Sequence, residues 1–199
     1  ILGEGMLMSK DNIIDFIEDK EIQLKDNVYY HAFPYRKDDF VNMITEGIKS
    51  PILIGKSAEG NNGYFYVSLS KRERCESSIY ERTMHLPMFV IDGNMKAVKV
   101  INYRKSKYDF GWAMNLPLPF RECEYDDEYQ KFLKVSPKYF LAIQYNLYLN
   151  RLKYGKLDED LKTLKNIVDT LEEEEIDLPI IDGSSSKVIN KDKVKMLDL

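Results

Sequence analysis

The chain has 199 residues, 31% of them charged, with 29 basic against 33 acidic side chains; that is the length of one ordinary domain and no dominant sign of charge. No run approaches the roughly 20 uninterrupted apolar residues of a membrane-spanning helix, and Ile1, Leu2, Met6, Leu7 and Met8, broken by Gly3, Glu4 and Gly5 and without a basic flank, do not read as a secretory leader. Two cysteines (Cys75, Cys123) without CxxC spacing and two histidines (His31, His85) argue against a disulfide framework or a metal centre, so the expectation is a soluble chain, cytoplasmic or exported as an effector, with no membrane partner and no metal.

In chain order, Ser9 to Lys20 has the pattern of a short capped helix with Ile13, Phe16 and Ile17 on one face, so residues 1–27 read as an N-terminal helical extension. Val28 to Phe33 is a β-rich run. Asp38 is placed to cap a helix whose Val41, Ile44 and Ile48 share a face and which Gly47 closes. The turn Gly60-Asn61-Asn62-Gly63 precedes a strand over 64–69, and a polar helix follows through Tyr80. Short strands are predicted at 88–92, 97–102, 124–133 and 139–145, with an irregular excursion from Arg104 to Tyr125 between the second and third. Leu157, Leu161, Leu164, Ile167, Val168 and Leu171 then recur at three and four, the stripe of an amphipathic helix over 157–178.

Two features of composition divide the chain. All 14 tyrosines fall between Tyr29 and Tyr154, which marks 28–156 as the folded heart, since aromatic rings carry the most burial per residue. Residues 157–177 carry nine acids against Lys162 and Lys165, a net of −7, and the last 22 residues four Lys against three Asp, a net of +1; within a total of −4 this leaves residues 1–156 close to +2. After Pro179, the run Asp182-Gly183-Ser184-Ser185-Ser186-Lys187 reads as a linker and 179–199 as a flexible tail. Without regular βαβ alternation, the pattern predicts an α+β fold with a mixed, mostly antiparallel sheet and flanking helices.

No P-loop, GxGxxG turn, GxSxG elbow or HExxH helix is present. An ordered series remains: Tyr30-His31-Ala32 at the end of the first strand, Gly47-Ile48 at the end of a helix, Gly63 to Lys71 as a strand running into a Ser-Lys helix start, Ser77 to Tyr80, and much later Asp127-Glu128-Tyr129-Gln130. Singly, His31 would read as a structural hydrogen-bonder and Tyr66 and Tyr80 as core aromatics. In this order and spacing, over roughly residues 28 to 146, the series resembles the ADP-ribosyltransferase superfamily, in its His-Tyr-Glu branch that includes diphtheria toxin and the poly(ADP-ribose) polymerases.

The resemblance implies a split-sheet catalytic domain over 28–156 that takes NAD as co-substrate. His31 would hold the adenine-side ribose, the Ala32 backbone and Ser77 the nicotinamide carboxamide, and Tyr66 and Tyr80 the two faces of the ring. Glu128 would bond the nicotinamide ribose, with His31, Tyr66 and Glu128 as the catalytic set. These roles suit the chemistry, because cleaving the nicotinamide glycosidic bond passes through an oxocarbenium-like ribose that a carboxylate stabilises. In an extended strand Glu124, Asp126, Glu128 and Gln130 share a face. Arginine-modifying relatives carry Glu at the place of Asp126, so arginine is not implied as the acceptor.

Phe110 and Trp112, in the excursion before Glu128, stand among charged residues and are expected, with Asp126, to meet a protein acceptor; a nucleic-acid acceptor stays open, although +2 over 1–156 is far from a basic stripe. The implied activity is a mono-ADP-ribosyltransferase. The rival readings are an NAD glycohydrolase and a catalytically degenerate module that binds a nucleotide or protein.

Overall fold

The computed structural model describes residues 16–24, 27–54, 67–70, 86–94, 129–132, 134–145, 157–183 and 185–199. Among these, the strands are β1 (Ile17–Glu21), β2 (Val28–Ala32), β3 (Ile48–Lys49), β4 (Val67–Ser70), β5 (Met88–Asp92), β6 (Tyr129–Phe132), β7 (Lys134–Val135), β8 (Phe140–Tyr145), β9 (Ile180–Asp182) and β10 (Lys187–Ile189). The α-helices are α1 (Lys37–Glu46), α2 (Leu157–Glu173) and α3 (Lys191–Lys195). The fold is therefore mixed α and β. Eight strands form one sheet in the order β1-β10-β9-β8-β5-β2-β4-β6, and β3 pairs with β7 separately. Every pair is antiparallel except β8 with β9.

Cross-strand partners share a face, so the register sorts the side chains. Tyr29 stands opposite Ile91, His31 opposite Phe89, and Phe89 in turn opposite Ile143, which neighbours Ile180. That face packs into the main core with Phe40 and Ile44 of α1 and Leu161, Leu164, Ile167, Val168 and Leu171 of α2. Its centre is a stack of rings: Phe33 lies 4.5 Å from Phe89 and 5.4 Å from Phe40, and Phe89 lies 4.4 Å from Phe140. The opposite face carries Tyr30, Val90 and Ala142 in one row and Ala32, Met88, Gln144 and Ile181 in the next.

α2 is a crossover. Parallel neighbours cannot be joined by a tight turn, so the chain leaving β8 must cross a sheet face before it re-enters as β9. The apolar stripe of α2 covers that face, and its carboxylates lie mostly outward. Its first turn carries Asp158, Glu159 and Asp160, which complement the helix dipole.

Three sequence expectations differ from the structure. Residues 180–183 and 185–195, read as part of a flexible tail, form β9, β10 and α3, with Gly183 and Ser185 in the turn between the two strands. There the Ser185 hydroxyl donates to Asp182 Oδ2 at 2.8 Å and the Ser186 amide to the Asp182 carbonyl at 2.8 Å. Ile17 to Lys20, read as the end of a helix, belongs to the edge strand Ile17–Glu21, because Ile17 pairs with Ile189 and tertiary pairing overrides a short helical pattern. α1 begins after Arg36 with no side-chain cap, and Asp38 lies inside its first turn.

Candidate functional site

His31 and Ala32 are the members of the proposed site that fall among the described residues; Tyr66, Ser77, Tyr80, Phe110, Trp112, Asp126 and Glu128 lie outside them. Strand alternation turns the two apart. His31 is half-buried on the helix-covered face beside Phe89, and Ala32 stands opposite Met88 on the other face.

The sheet order bears directly on the motif series. β2, which carries His31, neighbours β4, which begins one residue after Tyr66; β4 neighbours β6, which begins one residue after Glu128. Three segments far apart in sequence are thus side by side in the sheet. The β4–β6 ladder is antiparallel, Val67 pairing with Phe132 and Ser70 with Tyr129, so the two strands start at opposite ends, about 10 Å apart along it at the usual rise per residue. Tyr30 pairs with Ser70, which sets His31 one residue inward, at a level between those two starts.

The chain leaving His31 is held on several sides. The Phe33 amide donates to the Pro87 carbonyl at 3.0 Å, continuing the β2–β5 pairing, while its ring enters the core stack. Thr170 donates to the Asn166 carbonyl at 2.7 Å, which makes Tyr35 the donor across the 2.9 Å to Thr170 Oγ1. The exposed pair Lys37–Glu173, at 3.1 Å, adds a weaker tie between the start of α1 and the end of α2. The acidic helix therefore braces the segment that follows His31.

A second polar arrangement lies at the other end of α2. The Tyr145 hydroxyl donates to Asp160 Oδ1 at 3.0 Å, with Tyr145 2% and Asp160 7% exposed. Burial first, and the neighbouring carboxylate next, push the Tyr145 phenol far above its ordinary range, so it stays protonated and can donate. Gln144, the adjacent residue on the opposite face, buries an amide nitrogen that finds no hydrogen-bond acceptor among the described residues.

Neither the Tyr35–Thr170 tie nor the Tyr145–Asp160 bond was foreseen. Their trace in the sequence is that Asp160 and Thr170 sit beside Leu161 and Leu171 on the apolar side of α2, and both are buried. No group of three or more His, Cys, Asp or Glu side chains able to hold a metal occurs among the described residues, and no helix among them is long and apolar enough to cross a membrane. Compared with protein-family models, with curated proteins and with solved structures, the chain matches none.

Proposed function

We propose that this chain is an NAD-dependent mono-ADP-ribosyltransferase of the His-Tyr-Glu type, with an ADP-ribosyltransferase-like split sheet and a protein acceptor. The observation that carries the reading is the neighbourhood of β2, β4 and β6, since these strands bear or directly follow His31, Tyr66 and Glu128. A site that cleaves NAD draws its groups from distant parts of the chain, and adjacent strands bring these three segments, about a hundred residues apart from first to last, into one part of the sheet. Half-burial of His31 suits a group that holds a ribose hydroxyl from a fixed position.

The chemistry asked of each residue is limited. Tyr66 and Tyr80 supply flat faces for the leaving nicotinamide, and the Ala32 backbone with Ser77 grips its carboxamide. His31 fixes the distal ribose. Glu128 stabilises the positive charge that develops on the nicotinamide ribose as the glycosidic bond lengthens, and orients the acceptor that closes it.

The test is incubation of the purified chain with NAD labelled on the adenylate, with and without cell lysate. Labelled lysate proteins are the expected result; nicotinamide release of equal rate without lysate would favour the glycohydrolase, and no turnover with no NAD-dependent thermal shift would end the enzyme reading. Glu128→Gln keeps the shape and removes the charge, so it should slow nicotinamide release about 100-fold while leaving NAD affinity largely intact. Wild-type turnover in that variant would move the role to another carboxylate.

A further inference from the structure

The end of α2 and the start of α3 flank an open cleft of about 310 Å³, lined on its apolar side by Val168, Leu171 and Ile176. Its polar lining has four carboxylates, Glu172, Glu175, Asp177 and Asp192, and two amines, Lys191 and Lys195. The amines are held differently. Lys195 Nζ is 2.7 Å from Glu172 Oε2 and 3.8 Å from Asp192 Oδ1. Lys191 Nζ makes no hydrogen bond among the described residues, and its ion-pair contact there, Asp177 Oδ1, is 3.9 Å away. The Lys191 side chain is only 28% exposed, whereas that of Asp177 is fully exposed.

An ammonium in that setting has lost much of its water and gained a distant, solvated counter-ion, which repays little. Burial accordingly lowers the Lys191 amine from the ordinary lysine value, and Asp177 opposes this without cancelling it. Glu172 and Asp192 are engaged with Lys195, so the groups facing Lys191 do not restore its charge by close contact.

We propose that Lys191 is a nucleophilic amine that captures a small uncharged aldehyde in this cleft as an imine. The nitrogen lone pair forms a C–N bond at the carbonyl carbon, and the carbonyl π pair moves to oxygen. Protons pass from nitrogen to that oxygen through solvent water, and the C–O bond breaks as water leaves. Amine and aldehyde thus become imine and water, with no change of oxidation state. The apolar lining suits an aliphatic body, while four carboxylates around one loosely held amine repel an anionic aldehyde.

The test uses the full chain at pH 7 with isobutyraldehyde and cyanoborohydride, which traps the imine as a stable amine, followed by peptide mass spectrometry of each lysine. Lys193, exposed on the same helix, is the internal comparator. Lys191 should be alkylated at least about threefold faster than Lys193, because burial without a close counter-ion pushes its amine toward the neutral, nucleophilic form. The lead should vanish in denaturing guanidinium and with glyoxylate, an anionic aldehyde. A Lys191 rate at or below that of Lys193, or a lead that survives denaturation, would overturn the assignment.

Discussion

At Tyr145 a phenol is shut away from water against a carboxylate, and the consequence is a pH dependence with a definite sign. Its pKa in the folded chain is raised, by burial first and by Asp160 second, so its contribution to stability is fully present below the unfolded tyrosine value of about 10. Above that pH the unfolded chain loses the proton and the folded chain keeps it, so stability falls by about 1.4 kcal/mol per pH unit. Tyr29, also raised by burial, steepens the same limb. Tyr145→Phe should cost about 1–3 kcal/mol at pH 7, because Asp160 loses a buried donor, and should flatten the alkaline limb. Urea unfolding at pH 7 and pH 11 measures both, and an unchanged alkaline slope would assign the limb to other groups. Gly47 is a second residue with one feasible identity. Its φ is +99°, and a Cβ there would overlap the Val135 carbonyl beside the β3–β7 pairing. Gly47→Ala should therefore destabilise by about 2 kcal/mol or more, read from the shift of the urea midpoint.

Among the elements, legibility followed how much of the signal is local. Met88–Asp92 coincides with its prediction and Phe140–Tyr145 differs from its own by one residue, because runs of Phe, Val and Ile mark central strands wherever they lie. Gly47 was legible as a helix end for the same local reason. β9 and β10 have three residues each, too few for a period to register, and Asp182-Gly183 followed by serines has the same composition in a tight turn as in a linker. Of the two partners of β10, β9 is itself too short to register and β1 is more than 160 positions away, where no local pattern reports it. The candidate site divides in the same way. His31 was legible as a strand end, but the brace behind it, Tyr35 on Thr170, joins residues 135 apart in sequence.

For the whole molecule, the C-terminal elements decide whether there is a fold at all. Ile180, Ile181, Ile189, Val194 and Leu197 are all at most 3% exposed. At about 1.5–3 kcal/mol each, their burial rivals the 5–15 kcal/mol by which a whole domain is stable. A chain ended after Leu178 should consequently show no cooperative thermal transition and should gain exposed apolar surface, measured by calorimetry and dye binding. A transition like that of the full chain would mean that the last three elements are dispensable. Charge also looks different at this scale. Apart from the buried Asp160, the acids of 157–177 lie on the outward side of a helix whose inward side is core, or just after its end, so they belong to the folded body rather than trail from it.

The pairing of Ile17 with Ile189 carries a kinetic consequence. When a chain is synthesised from its N-terminal end, β1 has no partner until β10 has emerged, and β8 has no parallel neighbour until α2 has been laid across the sheet. Contacts of such long sequence separation are slow to close. Until Glu173 is available the face that α2 covers meets water, until Asp182 the β8 edge does, and until Ile189 β1 lacks its partner β10. A chaperone that covers apolar strands would therefore hold this chain longest over the interval between completion of Tyr145 and completion of Ile189.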